Sequence, residues 1–310
     1  MKKVAFIFPG QGSQSVGMGK DFYENSDIAK DMVKNASERL GIDFENLLFE
    51  QNDKLGQTEY TQPAILLVSC IALELFKSQC HIKPEFVLGH SLGEFSALVA
   101  SGAINYLDAV ELVHKRGLFM SEACEGKGAG MMALVGIDDA KVEEMCETYR
   151  DEGKQIWAAN YNMDGQLVVA GIKADLEATA DSFKEAGAKR ALVLDMSVAS
   201  HCELLSSAVE KLNPYLNDFI TDNFETSVIS NVTAASYNTK ADAIELLSSQ
   251  LTSPVKYKQS ILANSNVDCF IEFGNGAVLK GINRKVNKEI PTFNVSDMET
   301  LEDTLRQLND

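Results

Sequence analysis

The chain has 310 residues, of which 45% are hydrophobic, 24% are charged and only 6 are proline. This composition is that of an ordinary folded protein, and it excludes a disordered, collagen-like or low-complexity chain. The 28 basic and 45 acidic residues give a formal net charge of −17, which repels nucleic acids and anionic lipid surfaces. We therefore expect neither a nucleic acid nor a membrane as partner, and an acidic protein partner would need a local basic patch.

The N-terminus and the cysteines indicate a cytoplasmic protein. The apolar run at 4–8 stops at Pro9, which is too short for the core of a signal peptide, and we find no stretch of transmembrane length. The cysteines at positions 70, 80, 124, 146, 202 and 269 form no Cys-x-x-Cys pair and are too scattered for a metal site or a disulfide framework. Reduced thiols and no bound metal are the expectation.

Short apolar strands and helices alternate along the first 126 residues. The patterns predict strands at 4–8 and 86–88 and helices at 26–40, 64–76, 94–100 and 108–123. Pro63 is expected to precede the second helix, and Asp108 is expected to cap the fourth. Buried strands followed by helices are typical of an α/β fold.

A second unit is predicted within the chain. Residues 127–198 have the order β-α-β-β-α-β, which is that of a ferredoxin-like domain. The patterns of the first part resume afterwards, with helices at 206–219 and 241–251 and strands at 227–230 and 269–273. We therefore predict an α/β-hydrolase-like large subdomain at 1–126 and 199–310, with a ferredoxin-like small subdomain inserted at 127–198.

The run Gly-His-Ser-Leu-Gly at 89–93 matches Gly-x-Ser-x-Gly, the nucleophile elbow, and it lies between a predicted strand and a predicted helix. The glycines permit a tight turn that exposes the hydroxyl of Ser91. The backbone N–H of Leu92 then lies at a helix N-terminus, where it can stabilise an oxyanion. The alternative is a glycine-rich helix start with a capping serine.

A serine nucleophile needs a base, and His201 is the best placed of the four histidines. It follows the inserted unit, on a loop that can fold back over Ser91. Neighbouring His90 is expected to point elsewhere. Asp195 is the candidate acid to orient the base, but its position at a strand end equally suits a cap.

Two further features remain to be explained. The loop Gly10-Gln11-Gly12 lacks the third glycine of a dinucleotide loop and the lysine of a P-loop, so we expect it to supply backbone N–H groups to an anion. Arg116 lies on a largely apolar helix, and arginine is suited to bidentate recognition of a carboxylate. An ordinary surface position for Arg116 is equally compatible with the sequence.

Together these motifs resemble one enzyme family. The segments 8–14 (Phe-Pro-Gly-Gln-Gly-Ser-Gln), 89–94 (Gly-His-Ser-Leu-Gly-Glu) and 200–201 (Ser-His) closely resemble malonyl-CoA:acyl carrier protein transacylases, the free-standing bacterial acyltransferases of fatty-acid synthesis. The resemblance extends over the whole chain and includes the inserted unit. It implies a ping-pong transfer of malonyl from malonyl-CoA to the phosphopantetheine thiol of holo-acyl carrier protein, with no cofactor.

The resemblance also implies roles for single residues. Ser91 would be the nucleophile and His201 the base, oriented by the main-chain carbonyl of Gln250 instead of an acid. The N–H groups of Gln11 and Leu92 would form the oxyanion hole. Arg116 would bind the malonyl carboxylate, and two polar residues of the small subdomain, Asn160 and Asn162, would help to shape the substrate site.

The acidic carrier protein needs a basic docking surface on this acidic chain. The candidate residues lie on the small subdomain and after Gly276: Lys189, Arg190, Lys280, Arg284, Lys285 and Lys288. Scattered solubilising charge is the alternative explanation for them. The alternative function is a serine thioesterase or hydrolase, which would release malonate to water and need no carrier.

Overall fold

The computed structural model describes residues 2–309, which form two β-sheets surrounded by helices. The strands are β1 (Val4–Phe8), β2 (Phe86–Gly89), β3 (Ala129–Val135), β4 (Ile156–Met163), β5 (Gln166–Ile172), β6 (Arg190–Val193), β7 (Val228–Ile229), β8 (Ser236–Tyr237), β9 (Cys269–Phe273) and β10 (Thr292–Val295). The helices are α1 (Lys20–Asn25), α2 (Asp27–Leu40), α3 (Phe44–Phe49), α4 (Thr58–Gln79), α5 (Gly93–Ser101), α6 (Tyr106–Cys124), α7 (Asp139–Asp151), α8 (Lys173–Glu185), α9 (Ser206–Phe219), α10 (Lys240–Gln250), α11 (Tyr257–Ala263), α12 (Val278–Val286) and α13 (Met298–Asn309).

The larger sheet has the order β10-β9-β1-β2-β7-β8 and is parallel except for the edge strand β8. Strand β1 lies inside it, and all five of its residues are buried. Helices cover both faces of such a sheet, which is why its strands are continuous apolar runs without alternation. The carboxyl ends of β1 and β2 are neighbours, so the loop after Phe8 lies beside the turn after Gly89.

The smaller sheet has the order β4-β5-β3-β6 and is antiparallel. With α7 and α8 it gives the β-α-β-β-α-β arrangement of a ferredoxin-like unit, which confirms the predicted fold class. All six of its elements fall between 129 and 193. The boundaries at 127 and 198 stay a prediction.

Strand β4 joins the two subdomains. The N–H of Tyr161 donates to the carbonyl of Val255 at 2.9 Å, and the N–H of Val255 donates to the carbonyl of Ala159 at 2.8 Å. The ammonium of Lys258 on α11 also pairs with Asp139, and with Asp164 at 3.0 Å. These contacts hold the edge strand of the small sheet beside the large subdomain.

Helix α4 begins earlier than the sequence predicts. It starts at Thr58, and Pro63 lies inside it instead of preceding it. At 22 residues the helix is long and apolar enough to cross a membrane, whereas no stretch of transmembrane length is expected from the sequence. However, 83% of its most apolar 18-residue window is buried inside the protein. It is therefore a core helix of this fold.

A histidine on α6 replaces the hydrogen bond that the proline inside α4 cannot form. Pro63 has no N–H to donate to the carbonyl of Glu59, one helical turn before it. Nδ1 of His114 lies 2.7 Å from that carbonyl oxygen and donates to it instead. Close packing at Gly117 makes the contact possible, because a Cβ there would lie 2.6 Å from the carbonyl oxygen of Thr58. The first turns of α4 are thus fixed against α6.

His114→Ala should destabilise the fold by about 1–2 kcal/mol, because it leaves the carbonyl of Glu59 without its partner. Denaturant unfolding measures this loss. His114→Gln, whose side-chain amide can donate to the same oxygen, should recover part of it, and His81→Ala, at an exposed position, is the control. A His114→Ala protein as stable as the control would contradict the assignment.

Candidate active site

Ser91 lies in the tight turn between β2 and α5, with a positive φ of 52°. A Cβ on Gly89 would lie 1.8 Å from the carbonyl carbon of Gly93, and one on Gly93 would lie 2.0 Å from the carbonyl oxygen of Phe8. Only glycine fits at either position. The N–H of Ser91 donates to Oδ1 of Asn231 at 2.6 Å, and this bond helps to hold Ser91 in its strained backbone conformation.

His201 is the partner of this hydroxyl. Its Nε2 lies 2.7 Å from Oγ of Ser91, and its Nδ1 lies 2.7 Å from the carbonyl oxygen of Gln250. A carbonyl only accepts, so Nδ1 carries the proton and Nε2 is free to accept from Ser91. Burial, together with the nearby charge of Arg116, lowers the pKa of His201 to about 3. The imidazole is therefore neutral at physiological pH and can act as a base.

Within residues 2–309, no acid takes part in orienting this imidazole. The proton of Nδ1 is already held by the main-chain carbonyl of Gln250. Asp195, the acid considered from the sequence, is an exposed residue at the rim of the cleft. The buried carbonyl therefore occupies the place of the third group in a serine-histidine-acid arrangement.

Arg116 is buried in the site, with 1% of its surface exposed. Its Nη1 donates to Oε1 of Gln62 at 2.8 Å, and its Nη2 donates to Oε1 of Gln250 at 2.9 Å and to Oγ of Ser91 at 3.2 Å. Burial lowers its pKa to about 10, which leaves it charged at neutral pH. Its buried Nε–H has no partner within residues 2–309. Within the described residues, the arginine thus lies beside the nucleophile and keeps one donor that no protein atom accepts from.

Gln11 lies in the loop after β1, and Leu92 directly follows Ser91. Both residues line one cavity together with Ser91. In the part of the chain that the structure describes, neither backbone N–H donates a hydrogen bond. The side chain of Gln11 is held by Oγ1 of Thr58 at 3.2 Å. Two backbone N–H groups that have no acceptor and lie beside the nucleophile can stabilise a developing oxyanion.

The cavity has a volume of about 380 Å³ and lies between the two subdomains. The large subdomain contributes Ser91, Arg116 and His201, and β4 contributes Asn160 and Asn162. Oδ1 of Asn162 lies 2.8 Å from Nε2 of His90, so the histidine beside the nucleophile contacts the small subdomain and not the reacting atoms. The site is thus complete only when both subdomains are in place.

The basic residues proposed for docking lie outside this cavity, and all six are exposed. They form two groups, Lys189 and Arg190 at the start of β6, and Lys280, Arg284, Lys285 and Lys288 on and after α12. Strand β6 is one edge of the small sheet, whereas α12 contacts β4 at the other edge. The structure does not bring the two groups together.

Sequence reasoning missed three residues that support the site. Gln62 holds Arg116, Asn231 holds the turn at Ser91, and Glu94 accepts a bond from the side chain of Gln250 at 2.7 Å. Glu94 carried a signal, an acid in the first turn of an apolar helix. Gln62 and Asn231 carried none, because only the tertiary fold brings these amides to Ser91 and Arg116.

The ring of His201 should stay neutral as the pH falls from 8 to 5, because burial and Arg116 both disfavour its charged form. Nitrogen NMR of histidine-labelled protein measures this directly, with exposed His81 as the internal control. An inflection for His201 near pH 6.5, the ordinary value for histidine, would contradict the described environment.

Comparison with known proteins places this geometry in a family. Residues 5–302 match the family model of the acyl transferase domain. The chain is 43% identical to the malonyl CoA-acyl carrier protein transacylase of Bacillus subtilis, over 100% of this chain and 99% of that protein.

Two solved structures support the same assignment. One is the crystal structure of malonyl-CoA:acyl carrier protein transacylase from Helicobacter pylori, which is 43% identical with a TM-score of 0.96 over 100% of this chain and 99% of that one. The other is a malonyl-transacylase in complex with a type II PKS acyl-carrier protein, 32% identical with a TM-score of 0.93 over 98% of this chain and 99% of that one. This chain belongs to the malonyl-CoA:acyl carrier protein transacylase family.

Proposed function

We propose that this protein transfers the malonyl group from malonyl-CoA to the phosphopantetheine thiol of acyl carrier protein, in the cytoplasm, and supplies extender units for fatty-acid synthesis. The observation that carries the proposal is the buried guanidinium of Arg116, 3.2 Å from the hydroxyl of Ser91. A nucleophile next to a fixed cation favours an acyl group that ends in a carboxylate.

In the first half-reaction Oγ of Ser91 attacks the thioester carbonyl, and its proton passes to Nε2 of His201. The N–H groups of Gln11 and Leu92 stabilise the oxyanion. When the tetrahedral intermediate collapses, the carbon–sulfur bond breaks and His201 returns the proton to the sulfur of CoA. Malonyl remains on Ser91 as an ester.

The second half-reaction repeats these steps with another thiol. His201 takes the proton from the phosphopantetheine thiol, and the sulfur attacks the malonyl ester. When this second tetrahedral intermediate collapses, the ester carbon–oxygen bond breaks and His201 returns the proton to Oγ of Ser91. The carbonyl of Gln250 holds the imidazole in one orientation through both halves. No redox or metal chemistry is required by any of these steps.

Substrate binding also changes the electrostatics of the base. The free Nε–H of Arg116 can donate to one oxygen of the malonyl carboxylate, and the Nη2–H that bonds to Oγ of Ser91 can exchange that acceptor for the other oxygen. A bound carboxylate offsets the charge of Arg116, which otherwise lowers the pKa of His201. The imidazolium formed during attack therefore costs less free energy when a carboxylated acyl group is in place. Asn160 and Asn162 line the same cavity and shape the remainder of the substrate site.

Ser91→Ala should abolish covalent labelling by malonyl-CoA, because no other side chain in the cavity has a hydroxyl on His201 Nε2. Intact-protein mass measures the adduct. Ser197→Ala, which removes an exposed hydroxyl, is the matched control and should label normally. A malonyl adduct on the Ser91→Ala protein would rule out the mechanism.

Arg116→Ala should reduce kcat/KM for malonyl-CoA by a factor of about 100 or more and leave acetyl-CoA far less affected, because only malonyl has a carboxylate to bind. Arg116→Lys keeps the charge but loses the planar fork, so an intermediate loss is expected. The two donors are compared in stopped-flow acylation assays. Equal losses for both donors would show that Arg116 has only a structural role.

Carrier-protein docking is assigned to the exposed basic residues. Those of α12 have the better position, because Asn275, just before this helix, donates to the carbonyl of Ser13 beside the Gln11 loop at 2.6 Å. Arg190, at the start of β6, is roughly 13 Å along the strand direction from Leu194, which lines the cavity, and Lys189 is one residue farther away. We therefore expect α12 to contribute more to docking than β6.

Lys280→Glu combined with Arg284→Glu should raise the KM for holo-acyl carrier protein by about tenfold and leave malonyl-CoA labelling intact, because two surface attractions become repulsions. Lys189→Glu with Arg190→Glu is the matched double variant and should raise this KM less. If neither variant changes the KM for the carrier, these residues are not the docking surface.

A further inference from the structure

Glu94 is a fully buried carboxylate that the proposed chemistry does not use. It lies in the first turn of α5, and its Oε2 accepts from the N–H of Asn231 at 3.0 Å and from Nε2 of Gln250 at 2.7 Å. Its Oε1 accepts from the hydroxyl of Tyr237 at 3.0 Å. Within residues 2–309 it forms no direct ion pair. Burying a carboxylate without a cationic partner costs folding free energy, so we expect Glu94 to have a functional role.

Both partners of Oε2 are bonded to the reacting residues. The main-chain carbonyl of Gln250 holds His201, and the side-chain Oε1 of Gln250 accepts from Nη2 of Arg116 at 2.9 Å. The side chain of Asn231 accepts from the N–H of Ser91 and donates to the carbonyl of Gly89 at 2.7 Å. Glu94 therefore forms hydrogen bonds with the two residues, Asn231 and Gln250, that hold the nucleophile, the base and the carboxylate-binding arginine in place.

The amide of Gln250 can fit between its neighbours in one orientation only. Arg116 is solely a donor and an ionised Glu94 is solely an acceptor, so the amide oxygen must face the guanidinium and the amide nitrogen must face the carboxylate. This places a polarised amide between a buried cation and a buried anion, which offset each other's charge. Burial raises the pKa of Glu94 to about 7, whereas its three donors and Arg116 oppose that shift.

We propose that Glu94 is a positioning residue for acyl transfer, whose buried carboxylate fixes the side chain of Gln250 and thereby aligns Arg116 and His201 with Ser91. The assignment rests on the proposed roles of those three residues. It does not make Glu94 a catalytic residue, since Glu94 contacts neither the cavity nor the reacting atoms.

The test compares Glu94→Gln with Tyr237→Phe at pH 8, where the carboxylate is ionised. Glu94→Gln keeps the shape of the side chain but replaces the charged acceptor of Nε2 of Gln250 by a neutral amide, which weakens that hydrogen bond. Tyr237→Phe removes a bond to the same carboxylate on the side away from the reacting residues. Denaturant unfolding then shows whether the two variants lose comparable stability.

The kinetic readout is the rate at which a fluorophosphonate probe labels Ser91, which needs the nucleophile and its base but no acyl donor. Glu94→Gln should label at least about tenfold more slowly than the wild type, because misalignment of reacting groups is costly. Tyr237→Phe should label at nearly the wild-type rate. Equal labelling by both variants would overturn the proposal and leave Glu94 with a structural role only.

A third variant keeps the test decisive if Glu94→Gln does not fold. Gln250→Leu keeps the main-chain carbonyl but removes the amide that Glu94 orients. It should slow fluorophosphonate labelling by a similar factor, and a wild-type rate would overturn the proposal. Acylation by malonyl-CoA, measured in parallel on the wild type, separates a failure of the proposed function from a failure of this positioning role.

Discussion

The hydrogen bond between Arg116 and Ser91 is the contact on which the proposed selectivity for a carboxylated acyl group depends. Burying a guanidinium to 1% exposure is costly unless its donors find acceptors, and Gln62, Gln250 and Ser91 accept from its two Nη groups. Its placement in turn requires the close packing of α6 on α4 at Gly117. The proposed binding of a carboxylated acyl group therefore depends on how two core helices pack against each other.

The second constraint is the junction of the subdomains. The turn at Ser91 and the proposed base His201 belong to the large subdomain, whereas β4 of the small subdomain lines the other side of the cavity. Main-chain hydrogen bonds between β4 and Val255 fix that wall, and Val255 lies only five residues after Gln250. One short segment therefore carries both the carbonyl that orients His201 and the backbone that positions the small sheet, which couples the geometry of the base to the shape of the cavity.

Much of this could be predicted from the sequence, for local reasons. The order β-α-β-β-α-β and the elbow at Ser91 are encoded by contiguous patterns of apolar residues and glycines. The start of α4 could not be predicted, because the partner that accommodates Pro63 is His114, on another helix. The cap of α6 was predicted at Asp108 but is Asn105, whose side chain accepts from the N–H of Asp108. Glu94 and Asn231 acquire their supporting positions only in the assembled fold.

In the proposed mechanism, Ser91 holds a malonyl group long enough to pass it to a thiol. The most direct test is the intact mass of the protein after mixing with malonyl-CoA alone, followed by addition of holo-acyl carrier protein. We expect a malonyl adduct that persists without the carrier protein and moves to the carrier protein when it is added. An adduct that decays to malonate at the same rate with and without the carrier would contradict transfer and indicate a hydrolase.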